Sequence, residues 1–278
     1  MFSGYFKSGH FRIFQKNSGM FQYNISFAGA GRVAGALCRE MYYAGHNIEL
    51  IVSETEKSGR SLADSCKTSW SPELIFPDTT NVIFVAVPDH RLRSVLEKIS
   101  CGAETLVAHT AGSIGIDVFP EFFKHKGIFY PLQTFSKERR VVFRDLPVFL
   151  ESSDKKSDAI LDRITEFIGG KAHFTDTEHR RMLHVAAVFV CNFTNHMLTA
   201  GKEIATKAGF PFEVLHPLII ETIAIALDTG PENSQTGPAV RIDLNTIEKH
   251  LELLSFSPEL KRIYNELTRS IIKHYKKQ

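Results

Sequence analysis

The stretch Asn24-Ile-Ser-Phe-Ala-Gly-Ala-Gly-Arg-Val-Ala34 decides the fold. A short apolar run ends in Gly29-Ala30-Gly31, and a helical pattern with Val33, Ala34, Leu37 and Met41 on one face starts at once. Strand, glycine turn and helix in that order form the context in which a G-x-G-x-x-A signature means dinucleotide binding. Gly29 permits the tight turn, Gly31 lets the backbone approach a pyrophosphate, and Ala34 is small enough for the helix to pack on the strand. The N–H groups of Ala30, Arg32 and Val33 then lie at the positive end of the helix dipole, where phosphates bind. The alternative is a glycine-rich turn in another α/β unit.

Working outward, the alternation continues. Residues 47–53 read as a second strand, 54–66 as a helix, and the continuously apolar 81–87 as a central parallel strand covered on both faces. A helix over 91–99, strands over 105–109, 127–130 and 146–150, a helix over 157–168 and a strand over 171–174 follow. This is the pattern of a doubly wound α/β sheet. Past residue 175 the pattern turns wholly helical, with one long helix over 177–208 and others over 213–227, 245–254 and 259–275. The expected organisation is a dinucleotide-binding domain over 24–175 and a helical domain over 176–278. Residues 1–23, rich in Phe and Ser with no acidic residue, read as a disordered extension, with Met20 as a plausible natural start.

The chain has 278 residues, 43% of them hydrophobic and 23% charged, and a net charge of +2. That balance fits a globular protein and argues against nucleic acid or an anionic membrane as partner. No apolar run reaches the roughly 18 residues of a membrane span. The four cysteines lack C-x-x-C spacing and read as reduced thiols. None of the 12 histidines falls in a ligand pattern, so no metal is expected, and the expected location is cytoplasmic.

Ligands of a doubly wound sheet bind beyond the carboxyl ends of its strands. After the glycine loop, that rule picks Ser53-Glu54-Thr55, Val87-Pro88-Asp89 and His109-Thr110-Ala-Gly112. Glu54 stands about 20 residues beyond the loop, where an acidic side chain accepts hydrogen bonds from the ribose diol of NAD. It would repel a 2′-phosphate, for which Arg32, Lys57 and Arg60 could compensate; equally, Glu54 could serve only the first turn of its helix. Over 182–193 every residue is apolar except His184 and Asn192, which predicts a segment buried on all sides. The two polar residues stand about 12 Å apart along a helix axis and roughly 80° apart around it. They could line two ends of one cleft, or be satisfied structural groups. The stretch 228–243, with two Gly-Pro pairs, reads as a rigid irregular loop. Arg241 suits a carboxylate or phosphate, while Asp243 reads as the N-cap of the next helix, with Arg241 as its pairing partner if neither meets a ligand.

Together, Gly29-Ala-Gly-Arg-Val-Ala34, Val85-Ala-Val-Pro-Asp89, His109-Thr-Ala-Gly-Ser113, Pro131-Leu-Gln-Thr-Phe135, His184-Val-Ala-Ala187 with Asn192, and Thr236-Gly-Pro-Ala-Val-Arg-Ile-Asp243 resemble one family. It is the NADP-dependent oxidoreductase-like family that joins a Rossmann-like domain to a helical domain of unknown function. Its relatives are pyrroline-5-carboxylate reductase, ketopantoate reductase and 6-phosphogluconate dehydrogenase. The resemblance implies a helical domain like the C-terminal domain of 6-phosphogluconate dehydrogenase, homodimerisation through it, and a small substrate between the two domains. It implies NADP(H) as cofactor, with NAD(H) open because Glu54 stands where relatives often carry arginine. His184, Asn192 and Arg241 become the catalytic candidates: His184 as proton donor to a carbonyl or imine, the other two orienting it. Tyr130 replaces a usual histidine, and Ile242 a usual glycine. His184-x-x-x-Val188 stands where hydroxyacid dehydrogenases have Lys-x-x-x-Asn, so their mechanism does not transfer. That absence leaves open a second reading, a sensor or scaffold that binds dinucleotide without turnover.

Overall fold

The computed structural model describes residues 22–136 and 139–276. The expected extension lies outside them through residue 21. Tyr23, directly before the first strand, already bonds to the chain, its carbonyl accepting the Asn47 N–H at 3.1 Å.

Eight strands form one sheet in the order β3-β2-β1-β4-β5-β6-β7-β8. They are β1 Asn24–Ala28, β2 Asn47–Val52, β3 Ser69–Ser71, β4 Val82–Val85, β5 Leu106–His109, β6 His125–Pro131, β7 Pro147–Ser152 and β8 Lys171–Phe174. All neighbours are parallel except β6 and β7. The chain winds outward from β1 in both directions, so the ends of β1, β2 and β4 meet at the point where the order reverses. The crossovers are α1 Arg32–Tyr43, α2 Glu56–Ser65, α3 Asp89–Leu96 and α4 Lys155–Phe167.

Strand alternation sorts the core into two layers. Ile25, Phe27, Val82, Phe84, Leu106 and Ala108 face one side, packed with Leu37, Met41, Leu62 and Leu161 from α1, α2 and α4. Ala28, Ile83, Val85 and Val107 face the other, with Leu92 and Leu96 from α3 and the rings of Phe119 and Phe123. Each large side chain so buried contributes about 1.5–3 kcal/mol, which explains why the central strands read as unbroken apolar runs.

Two local differences from the sequence expectation matter. Strand β3 was not expected, because Ser69-Trp-Ser71 is too short to show a period; Trp70 anchors it by donating its indole N–H to Ser53 Oγ at 3.1 Å. Helix α2 starts at Glu56 with Thr55 as N-cap, which leaves Glu54 outside the helix it was expected to open.

The helical part runs through α5 Thr177–Ala187, a π-helical segment Val188–Phe193, α6 Thr194–Lys207, α7 His216–Thr229, α8 Pro231–Ser234, α9 Leu244–Leu253 and α10 Pro258–Tyr275. The single helix expected over 177–208 is thus divided by a π segment, a form often found at functional positions. The loop expected over 228–243 contains one helical turn, α8. The switch to helices falls at the expected place, but the compact units divide later, between Val190 and Cys191. Helix α5 stays with the first unit because its side chains are bonded into the sheet.

The expectation of all-round burial over 182–193 is not met within the chain. Met182, Val185, Phe189, Val190 and Phe193 are exposed. Helix α7 is similar: it has no buried residue, and Leu218, Ile220 and Leu227 are more than 60% exposed. Among the described residues, no helix is long and apolar enough to cross a membrane.

Candidate functional site

The glycine loop has the geometry that its sequence predicts. Gly29 sits at φ 114°, its N–H bonded to Val52 O at 2.7 Å, and a Cβ there would stand 2.3 Å from Ala86 O. No other residue fits between β2 and β4 at that point. Beside Gly31 the opposite holds: a Cβ would meet nothing within 4 Å. Gly31 is the N-cap of α1, with no side-chain cap and no acidic residue in the first turn. The N–H groups of that turn therefore lack an intrahelical partner and face a gap that a phosphate suits. Arg32, at the start of α1, is exposed beside it, while Ala30 and Val33 pack partly onto the core. These residues fit a dinucleotide.

The next station is held by a side chain that the sequence reading did not single out. Glu54 makes a two-point ion pair with Arg91, the third residue of α3; the Nη1–Oε2 distance is 3.1 Å and Nη2 bonds Oε1. Hydrogen bonding to the guanidinium holds the Glu54 carboxyl below the usual range. β2 and β4 flank β1, so this pair bridges the turns on either side of the glycine loop. The alternative in which Glu54 serves its own helix is thereby set aside. Ser53 Oγ donates to Thr55 O at 3.1 Å. Arg60 is already engaged, with Glu56 at 2.7 Å and with the face of Trp70 at 4.8 Å. Val87 and Pro88 lead into α3, where Asp89 accepts from Ser113 Oγ at 2.6 Å.

At the end of β5 the backbone, rather than the His109 ring, faces the site. That imidazole is fully buried and stacked on Phe119, and its Nδ1 accepts the Ala111 N–H at 3.2 Å. Burial, helped by the Arg180 charge, lowers its pKa to about 3 and keeps it neutral. Thr110, whose N–H bonds to Val85 O at 3.2 Å, and Gly112 continue the turn.

Gly112 packs against a pair of hydrogen-bonded rings. Tyr130, at the end of β6, and His184, on α5, are joined by a hydrogen bond of 3.0 Å between Oη and Nδ1. A Cβ on Gly112 would stand 2.7 Å from Tyr130 Cζ and 2.8 Å from His184 Nδ1, so only glycine leaves room for both rings. Burial pushes the Tyr130 hydroxyl above its ordinary pKa, with the Arg180 charge opposing, so the phenol stays protonated at neutral pH.

The face of α5 that carries His184 is fixed by its neighbours three and four residues apart. Thr177 Oγ1 bonds both carboxylate oxygens of Glu151, at 2.8 and 2.9 Å. Arg180, fully buried, pairs with Glu151 and donates to Ile114 O at 2.6 Å. His184 then follows one turn after Arg180. Asp176 caps the helix, accepting the His179 N–H at 2.9 Å.

In the second unit, Asn192 lies in the π segment and is exposed. Asp243 is the N-cap of α9, its Oδ1 accepting the Thr246 N–H at 3.1 Å. Arg241 makes no ion pair with it among the described residues. Ile242 between them sits at φ 55°, in the left-handed region that favours glycine. That conformation strains a branched side chain.

Two family models match the chain: NADP oxidoreductase coenzyme F420-dependent over residues 24–112, and a domain of unknown function, DUF2520, over 146–271. Among solved structures, the NADP oxidoreductase candidate BF3122 from Bacteroides fragilis is 37% identical, with a TM-score of 0.82, covering 91% of this chain and 98% of that one. Protein TM1727 from Thermotoga maritima is 22% identical with a TM-score of 0.66, covering 91% of this chain and 99% of its own. An imine reductase from a Pseudomonas species is 13% identical with a TM-score of 0.65, covering 90% and 93%. These last two share the fold. None of the curated proteins matches. With the Bacteroides fragilis protein, the chain belongs to a family of Rossmann-fold NAD(P)-binding oxidoreductases, its doubly wound sheet followed by a helical domain of the 6-phosphogluconate dehydrogenase type.

Proposed function

We propose that this protein is an NAD(P)H-dependent reductase of a small carbonyl or imine metabolite, with His184 as proton donor. The observation that carries the reading is the Tyr130–His184 hydrogen bond of 3.0 Å, packed on Gly112 at the carboxyl end of β5. A reduced nicotinamide, when bound, supplies the hydride. The protein must then give a proton to the oxygen or nitrogen that gains the electron pair, and an imidazole does this near neutral pH. Tyr130 occupies Nδ1, so Nε2 is the ring atom left for a substrate. The hydroxyl accepts from Nδ1–H both in the imidazolium and in the neutral ring left once Nε2 has given up its proton, and it donates to Nδ1 in the other neutral tautomer, so it holds the ring throughout. Thr177 and Arg180 keep α5, and hence His184, in register with the end of β6. Asn192 and Arg241 enter as substrate-orienting groups on family resemblance alone. The exposed apolar residues of α7 suit a second copy of the chain, which makes a homodimer part of the proposal.

The experiment is the oxidation of NADPH and NADH against a panel of carbonyl and imine metabolites. His184→Ala should abolish turnover and leave cofactor affinity nearly intact; loss of cofactor binding in that variant would mark a structural histidine. Binding without oxidation across the panel would support the sensor, the reading that the missing Lys-x-x-x-Asn pair keeps open.

A further inference from the structure

We infer that Arg91 is the residue through which this chain reads the adenosine ribose of its dinucleotide, and that Glu54 is the counter-ion it exchanges for a 2′-phosphate. The inference rests on the dinucleotide-binding reading of the glycine loop. Its starting point is a conflict: an acidic residue at the end of β2 favours the ribose diol and repels a 2′-phosphate. Of the cations near in sequence, Arg60 is committed to Glu56 and to the Trp70 ring. Arg91 comes from α3, across the glycine loop, and meets the Glu54 carboxylate with both terminal nitrogens.

That arrangement can serve either cofactor. Both side chains are substantially exposed, at 43% and 73%, and an exposed ion pair holds its partners weakly. A guanidinium fork matches a phosphate as well as a carboxylate, and the doubly charged phosphate is the stronger acceptor. With a 2′-phosphate present, Arg91 turns from Glu54 to the phosphate and cancels the repulsion that Glu54 alone would impose. With a free diol, Glu54 accepts the hydroxyls and Arg91 stays on its carboxylate. The chain therefore takes both cofactors, and Arg91 rather than the residue at the end of β2 supplies the affinity for NADPH.

The test is equilibrium titration of the full chain with NADPH and with NADH. It can be read by quenching of Trp70, the single tryptophan, which bonds to Ser53 beside the site. The wild type should bind both, with Kd values within about tenfold. Arg91→Gln should raise the Kd for NADPH about tenfold or more, the loss of a charge-assisted pair, and change that for NADH less than about threefold. Arg91→Lys, which keeps the charge and loses the fork, should fall between. Glu54→Gln should tighten NADPH by several fold and weaken NADH. The NADH titration doubles as the folding control. An unchanged NADPH-to-NADH ratio in Arg91→Gln overturns this inference alone; failure of the wild type to bind either cofactor overturns it together with the dinucleotide reading.

Discussion

Gly112→Ala probes the packing on which the proton-donating pair depends. The backbone at Gly112 lies outside the left-handed region, so alanine meets no conformational penalty there and the effect is steric. Its Cβ would lie 2.7 Å from Tyr130 Cζ and 2.8 Å from both Tyr130 Cε2 and His184 Nδ1. Ordinary carbon contacts lie at about 3.5–4.0 Å, so the rings must retreat by roughly 0.8 Å. Tyr130 is held by a strand paired on both sides, so His184 moves, and the 3.0 Å bond opens beyond hydrogen-bonding range. Overpacking of this kind costs about 1–3 kcal/mol of stability. Displacing a catalytic group by about 1 Å costs on the order of a hundredfold in turnover. The assay pairs denaturant unfolding with initial rates at saturating cofactor. Gly201→Ala in α6 is the control, since its Cβ would meet only Leu215 Cδ1 at 3.8 Å and alanine is favoured inside a helix by about 0.5–1 kcal/mol. Wild-type rate and stability in Gly112→Ala would refute the geometry argued for Tyr130 and His184.

Two further outcomes follow from strain and from burial. At Ile242 the left-handed backbone costs an L-residue about 1–2 kcal/mol, so Ile242→Gly should be more stable than Ile242→Ala by about 1 kcal/mol in urea unfolding, the reverse of the usual order; alanine above glycine would contradict the strain. Burial lowers the His46 pKa to about 4, while the unfolded chain takes up that proton near 6.5. Between those values the unfolded state binds more protons, so stability falls as pH falls, by roughly 2–3 kcal/mol from pH 7 to pH 4.5. His46→Asn should remove that part of the acid sensitivity, and an equal loss in both proteins would show that His46 does not carry it.

The parts of the fold legible in sequence are those where one physical rule dominates. Strands covered on both faces must be apolar throughout, so β1, β4 and β5 could be read directly, and Gly29 could be read from the turn it alone permits. The three residues of β3 carry no period and are held by the Trp70 indole. The site was legible only where a single station sufficed. Tyr130 stood out in the sequence only as a departure from the family motif; its bond to His184 joins residues 54 positions apart, and no local pattern encodes that. The same holds for Glu54 and Arg91, and for Arg180 with Glu151. Exposure of the apolar row from Met182 to Phe193 was illegible for another reason. Composition says that such a row seeks cover, not whether the same chain provides it.

The most direct test of the central claim follows a label from the cofactor. The protein is incubated with NADPH and NADH carrying deuterium at the transferable position of the nicotinamide, together with the panel of carbonyl and imine metabolites, and products are read by mass spectrometry. The account predicts deuterium on the reduced carbon of at least one substrate, and no transfer in a His184→Ala protein that still binds cofactor. Firm cofactor binding with no label passed to any substrate by the wild type would contradict it.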